Sequence, residues 1–302
     1  MGLIHTLPAH RGGFRPATRD HHQARHPDAA PPAPAVAPRE SADLGFRLLG
    51  PLEIEAEGDT VELPSYRQRA VLAAMLLDAN SVVAVDRLVE AVWEDDPPPT
   101  AHKQIQMCVS QLRRLFESLG HDTLIHTRPG GYQLSLDDES VDFHRFERLR
   151  DRARGAAHDE RTGEAARVFQ QALQAWRGSA LAGFHSRFLQ SRGTWLDELR
   201  WSTYEEYVEL RLRTGHASEL VGELTVAVAD QPTRERLSAY LILALYQSGR
   251  RADALETYLA TREVLVSLLG IEPGHGLRRL HAAVLADDER RAAALLRERL
   301  IA

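Results

Sequence analysis

The stretch TAHKQIQMCVSQLRRLF, residues 100–116, decides the fold. It holds Lys103, the only lysine in the chain; all other basic charge, histidine aside, is carried by arginine. Wound as a helix at about 100° per residue, it gathers Ile105, Cys108, Val109, Leu112, Leu115 and Phe116 on one side. The other side gathers Lys103, Gln106, Met107, Ser110, Arg113 and Arg114. One face is built for burial, and the opposite face offers donors, acceptors and positive charge.

Working outward, the segment before it reads as two further helices and a short strand. SYRQRAVLAAMLLDAN (65–80) is an amphipathic helix with Ser65 as its cap and Val71, Leu72, Met75 and Leu76 turned inward. SVVAV (81–85) is a short strand, and DRLVEAVWEDD (86–96) a helix capped by Asp86 and broken by PPPT. FRLLG, LEIEAEG and DTVELP (46–64) alternate between turn residues and read as a small antiparallel sheet. Downstream, TLIHTRPGGYQLSL (123–136) reads as a β-hairpin turned by Pro129, Gly130 and Gly131.

After Val141 the pattern requires no more strands. DFHRFERLRDRARGAA, RTGEAARVFQQALQAWRG and HASELVGELTVAVADQP are helical in period and composition. TRERLSAYLILALYQSGR and RADALETYLATREVLVSLLGIEPG form a helix pair joined at a glycine, with Ala244, Ala252 and Ala254 as small residues for a close crossing. Such pairs are the unit of tetratricopeptide-like arrays. Their irregularity predicts a small helical bundle. DDERRAAALLRERLIA reads as a last helix or a frayed end. The expected organisation is a tail at 1–43, a first domain at 44–138, a helical domain at 142–288 and a C-terminal tail at 289–302.

The chain has 302 residues, 26 % of them charged, and a net charge of −6. That length accommodates about two domains. The negative balance confines any nucleic-acid contact to a local patch. A single cysteine, Cys108, excludes an internal disulfide and a four-cysteine zinc site. It is expected as a small buried thiol, the alternative being a redox switch. No apolar run approaches the ~20 residues that span a bilayer, no secretory leader is evident, and a cytoplasmic protein is expected. Residues 1–43, rich in proline and alanine, read as a flexible tail or an upstream extension; metal binding by His5, His10, His21, His22 and His26 is disfavoured by irregular spacing. Catalytic motifs are not found: Lys103 has no glycine frame for a phosphate loop, and HExxH and GxSxG are missing. His144, His158, His185, His216, His275 and His281 are isolated. Neither an enzyme nor a cofactor is expected.

The order sheet, three helices, hairpin describes an α+β winged helix-turn-helix of the OmpR type, followed here by an all-α tetratricopeptide-like domain. In a winged helix the third helix enters the major groove of double-stranded DNA and the wing reaches the minor groove. Lys103, Arg113 and Arg114 suit phosphates or guanine edges, and Gln106 suits a base amide edge. Arg128 sits at the wing tip beside glycines that allow close backbone approach. A polar helix face is by itself usually only solvated. Here, however, Glu53, Glu55, Glu57, Glu94, Asp95 and Asp96 fall in the sheet and the helix connection, so charge is segregated.

FRLLGPLEI, RQRAVLAAMLLDANSVVAVDRLVEAVWEDDPPPTA, VSQLRRLF and TRPGGYQL resemble the DNA-binding domain of the Streptomyces antibiotic regulatory protein family. VDFHRFERL, AARVFQQALQAWRGSAL and the segment from Ala244 to Leu285 resemble that family's bacterial transcriptional activation domain. The similarity runs over residues 45–286. It implies a transcription activator of a secondary-metabolite gene cluster that binds direct repeats at promoters and recruits RNA polymerase holoenzyme. By position, the resemblance makes Thr100 to Glu117 the recognition helix and Thr127 to Tyr132, including Gly130, the wing. WEDDPPPT, with Trp93, Glu94, Asp95 and Asp96, corresponds to the loop through which OmpR-type domains meet polymerase. Cys108 stands where the family often has an aromatic residue or histidine. The ATPase module of larger relatives and a receiver domain are not expected. Head-to-tail pairing on repeated half-sites is expected from the helical domain. The rival reading is an adaptor whose winged helix contacts protein instead of DNA.

Overall fold

The computed structural model describes residues 44–94 and 96–297. Expectations about residues 1–43, Asp95 and residues 298–302 lie outside the described residues.

Strands β1 (Leu44–Arg47), β2 (Glu53–Ala56) and β3 (Asp59–Val61) form an antiparallel sheet in that order. Phe46 faces Ile54 and Leu44 faces Ala56 across the β1–β2 pair, which turns all four side chains to the core. Helix α1 (Tyr66–Leu77) follows, then β4 (Val82–Ala84), α2 (Val85–Trp93) and α3 (Ala101–Ser118). Strands β5 (Ile125–Arg128) and β6 (Gly131–Leu134) make the hairpin, and β4 pairs with β6 to give a second sheet in the order β4-β6-β5. This is the winged-helix order read from the sequence.

Two local expectations need correcting, and a third holds in position alone. Ser65 is the N-cap residue of α1 but makes no capping side-chain hydrogen bond. Asp86 does not cap α2; Ala84 holds the cap position, and Asp86 lies in the first turn, where a carboxylate still favours the helix dipole. Helix α1 is not half-exposed, because every residue from Ala70 to Leu77 is buried. The reason is tertiary: α2, α3, β6 and a later helix all pack against it.

The helical part comprises α4 (Asp142–His158), α5 (Thr162–Leu173), α6 (Arg187–Arg213), α7 (Ala217–Asp230), α8 (Glu235–Gln247), α9 (Arg251–Leu269), α10 (His275–Leu285) and α11 (Glu289–Arg297). Helices α7 and α8, and α8 and α9, pack as neighbours in the tetratricopeptide manner. Gly249, at φ 76°, turns the chain between α8 and α9. Ala244 and Ala254 are buried at this crossing, whereas Ala252 faces solvent and takes no part in it. Helix α6, at 27 residues the longest of the described elements, was missed by periodicity.

Two hydrophobic cores result, and α6 belongs to both. Phe188, Leu189 and Leu196 join Phe46, Leu72, Met75, Leu112 and Phe116 in the first core. Tyr207, Val208 and Leu212 join Phe169, Tyr240, Leu243 and Leu280 in the second. The first core also takes in Val141, Phe143 and Phe146 from the start of the helical part. Polar clamps reinforce this union. The Asp142 carboxylate accepts hydrogen bonds from the backbone N–H of Leu48 and Leu49 at 2.8 and 3.1 Å. Arg177 pairs with Glu53 at 2.6 Å, and Arg192 donates to Asp78 at 3.3 Å. Arg87 lies over the Phe188 ring at 4.7 Å.

Candidate nucleic-acid interface

Helix α3 is held by its apolar face. Ala101, Ile105, Cys108, Val109, Leu112 and Phe116 are buried, and Phe116 meets Phe46 edge-on at 5.9 Å. Each large side chain among them contributes roughly 1.5–3 kcal/mol on burial, so the helix is a firm platform. Cys108 is only 6 % exposed. Burial pushes its thiol pKa up, with the charge of Arg67 pulling the other way. It points to the core and offers nothing to a partner.

The opposite face presents Lys103, Gln106, Met107, Ser110 and Arg114, all exposed. Met107 is 55 % exposed, an apolar side chain set among polar ones. The Ser110 hydroxyl donates to the carbonyl of Gln106 at 2.8 Å, leaving its lone pairs outward. His102 and Gln111 share this exposure and were not singled out from the sequence. Their positions on the helix wheel were the available signal.

Arg113 departs from the expectation that it stands free on this face. It is half-buried, and its Nε donates to the carbonyl of Ile125 at 3.0 Å. Its Nη2 donates to the Thr127 hydroxyl at 2.8 Å, and its guanidinium lies 5.8 Å from the centre of the Tyr132 ring. Arg113 thus bolts α3 to both strands of the wing, and Thr127 is its partner. Arg128 is exposed at the wing and donates to Gln133 Oε1 at 2.8 Å. Gln133 in turn donates to the carbonyl of Asn80 at 2.8 Å, and Asn80 holds Leu136 through hydrogen bonds to its N–H and C=O, both at 3.0 Å.

Two glycines shape the wing. Gly130 turns it with φ 79° in open space, a conformation that favours glycine. At Gly131 a Cβ would come within 2.0 Å of the Val83 carbonyl oxygen, so no other residue fits the β4–β6 register.

A second polar layer lies behind α3. Arg67 donates to Gln104 Oε1 at 2.6 Å, Gln104 donates to the Thr100 hydroxyl at 2.9 Å, and Gln68 donates to Gln111 Oε1 at 2.8 Å. These α1 residues orient side chains of α3 and were not anticipated; only the fold brings residues 37 or more positions apart together. One acid also reaches the helix: Asp86 meets His102 Nε2 at 2.9 Å.

The α2–α3 connection differs from an open loop at its start. Trp93 is the last residue of α2, half-buried against the first core, with the Arg67 guanidinium 5.4 Å from its ring centre. Glu94 is half-buried with φ 56°, and Asp96 is exposed. Asp95 lies outside the described residues. Among the described residues, no group of three or more His, Cys, Asp or Glu side chains is placed to hold a metal ion. No helix of the described residues is long and apolar enough to cross a membrane.

Residues 58–134 match the family model described as transcriptional regulatory protein, C terminal, and residues 141–285 match the bacterial transcriptional activator domain. The regulatory protein DnrI of Streptomyces peucetius is 34 % identical over 253 residues, covering 81 % of this chain and 93 % of that protein. The regulatory protein AfsR of Streptomyces coelicolor is 33 % identical over 265 residues, which is 87 % of this chain and 26 % of AfsR. The transcriptional regulatory protein EmbR of Mycobacterium tuberculosis is 36 % identical over 245 residues, 80 % of this chain and 63 % of EmbR. A solved structure of M. tuberculosis EmbR in complex with a low affinity phosphopeptide superposes with a TM-score of 0.77 at 34 % identity, covering 86 % of this chain and 70 % of that one. The chain therefore spans about a quarter of AfsR and less than two thirds of EmbR.

A winged helix of the OmpR type joined to an activator domain defines the class: transcription regulators. Within it, this chain belongs to the Streptomyces antibiotic regulatory protein family of transcription activators.

Proposed function

We propose that this protein activates transcription by binding double-stranded promoter DNA through α3 and the wing. The observation that carries the reading is the exposed row Lys103, Gln106, Met107, Ser110 and Arg114 beside a wing fixed in place by Arg113. In this reading Lys103 and Arg114 meet phosphates or guanine edges, and Gln106 and Ser110 meet base edges. Met107 supplies the apolar surface that suits a thymine methyl. Arg128 and the backbone at Gly130 approach the minor groove or its phosphates, and Arg113 and Thr127 set the wing's angle.

The finer parts of the proposal rest on family resemblance together with these residues. The sites are direct repeats bound by a head-to-tail pair, the controlled genes form a secondary-metabolite cluster, and the setting is the cytoplasm. The proposed domains are residues 44–138 for DNA and 142–288 for activation. RNA polymerase holoenzyme is met through Glu94, Asp95 and Asp96, whose charges phosphates would repel; Trp93 braces the loop from the core side.

Promoter-binding titrations at several salt concentrations test the reading, because counterion release makes phosphate-led affinity fall steeply with salt. Arg114→Ala is expected to cost ~1–3 kcal/mol of affinity. Asp95→Ala combined with Asp96→Ala is expected to preserve promoter affinity and lower transcription by purified polymerase. Salt-insensitive binding, or wild-type affinity in Arg114→Ala and Lys103→Ala together, would favour the protein-contact adaptor.

A further inference from the structure

We propose that the cleft between α5, α6 and α7 is a binding site for a small amphiphilic organic cation, an aromatic or apolar body carrying a protonated or quaternary amine. The cleft has a volume of about 450 Å³, within the ~300–1,000 Å³ of sites that hold small organic ligands.

Its floor comes from α6. Trp201, Tyr204 and Tyr207 line the cleft at three-residue intervals, with Trp201 and Tyr204 edge-on at 6.0 Å and Tyr204 and Tyr207 tilted at 6.3 Å. Leu173 and Val226 extend this apolar surface, and Val226 is left 61 % exposed. Aromatic rings attract cations through their quadrupoles, and an aromatic floor beside carboxylates is the common means of recognising organic ammonium groups.

The electrostatics select the sign of the ligand. Glu223 and Asp230 line the cleft, and among the described residues neither has an ion-pair partner. Elsewhere in the helical part Glu164, Glu198, Glu205, Glu206, Glu209 and Glu219 are each paired with arginine, so the two cleft carboxylates are not neutralised as those are. Arg200 also lines the cleft, its guanidinium 5.5 and 5.6 Å from the Trp176 and Trp201 ring centres; Arg234 lies 5.9 Å from Trp201 and Arg211 5.9 Å from Tyr207, so among the described residues Tyr204 is the ring of the floor with no arginine over it. Two carboxylates against one guanidinium leave the lining with a net charge of −1.

One polar atom of the lining residues is also unsatisfied. The Tyr204 hydroxyl is buried and has no hydrogen-bond partner. An unpaired buried hydroxyl is an energetic cost that native structures rarely carry without a reason. Burial foremost, and the nearby charge of Glu223 after it, push the Tyr204 pKa up, so the group remains a neutral donor or acceptor. The same two causes act foremost on Tyr207, and Glu223, Tyr204 and Tyr207 all line the cleft. The cleft is lined by residues separate from those proposed to contact DNA, and its test needs no DNA.

The full chain is titrated calorimetrically with 2-phenylethylammonium, with benzyltrimethylammonium and with neutral 2-phenylethanol, while tryptophan fluorescence is recorded in parallel. The expected result is saturable one-site binding of both cations, with the neutral alcohol roughly tenfold or more weaker. Glu223→Gln combined with Asp230→Asn, both at exposed positions, should weaken the cations by about tenfold with melting temperature unchanged. Trp201→Phe should abolish the fluorescence response. Equal binding of alcohol and amine, indifference to the carboxylate variants, or no saturable heat from either cation would overturn the proposal. Tighter binding of a lysine-rich peptide than of either small cation would assign the cleft to a protein partner and overturn it equally.

Discussion

Replacing Arg113 by alanine separates a residue that positions the wing from one that touches DNA. The change removes two hydrogen bonds, at 3.0 Å to the Ile125 carbonyl and 2.8 Å to the Thr127 hydroxyl, together with the contact to the Tyr132 ring. Hydrogen bonds from a charged donor are worth ~1.5–3 kcal/mol each when desolvated. Arg113 is only half-buried and Thr127 is exposed, so solvent screening reduces the combined loss to about 1–2 kcal/mol. At roughly 2–4 °C per kcal/mol for a chain of this size, the melting temperature should fall by about 2–8 °C. DNA affinity should also fall, by about tenfold, because the wing loses its angle to α3. The salt slope of binding should nevertheless stay unchanged, since each phosphate contact contributes about 0.9 to that slope and none is removed. Arg113→Lys should not rescue, because an ammonium cannot span two acceptors as a planar fork does. Arg114→Ala serves as the contrast: unchanged melting temperature, with a shallower salt slope or relaxed preference at one base. If Arg113→Ala leaves the melting temperature untouched and lowers the salt slope by about 0.9, Arg113 is a DNA contact and the positioning argument fails.

Gly131→Ala should disrupt the wing, since its Cβ would overlap the Val83 carbonyl oxygen; a loss of at least ~3 kcal/mol is expected in denaturant titration, and a loss below 1 kcal/mol would contradict the steric reading. Asp142→Asn conserves shape but turns one acceptor into a donor facing a backbone N–H of Leu48 or Leu49, so about 1–3 kcal/mol should be lost; an unchanged denaturation midpoint would remove this clamp from the account. Cys108 should react slowly with a thiol-specific disulfide reagent in the native protein and rapidly in urea, because burial both shields it and raises its pKa. Native reactivity equal to that of a free thiol would place it at the surface.

The sequence by itself determined the local elements and their order. The two-sided pattern of 100–116 specifies α3, because an amphipathic helix leaves its period in the residues whatever covers it. Pro129, Gly130 and Gly131 specify the hairpin turn, because backbone freedom at φ 79° belongs to glycine itself. The exposed row of Lys103, Gln106, Met107, Ser110 and Arg114 follows from the same period, as does the inward turn of Cys108. What the period does not carry is the identity of the neighbour. Helix α1 reads as half-exposed, yet packing on several sides buries its last eight residues. Helix α6 escapes a single-stripe reading because Phe188, Leu189 and Leu196 serve one core while Tyr207, Val208 and Leu212 serve another. Arg113 reads as a free cation until β5 lies beside it. Asp142 meets Leu48 from 94 positions away, a contact that exists only because the helical part folds back onto the first sheet. Side-chain periodicity records each element's own axis, whereas partnership between distant residues is a property of how those axes pack, and that was decided by the tertiary structure.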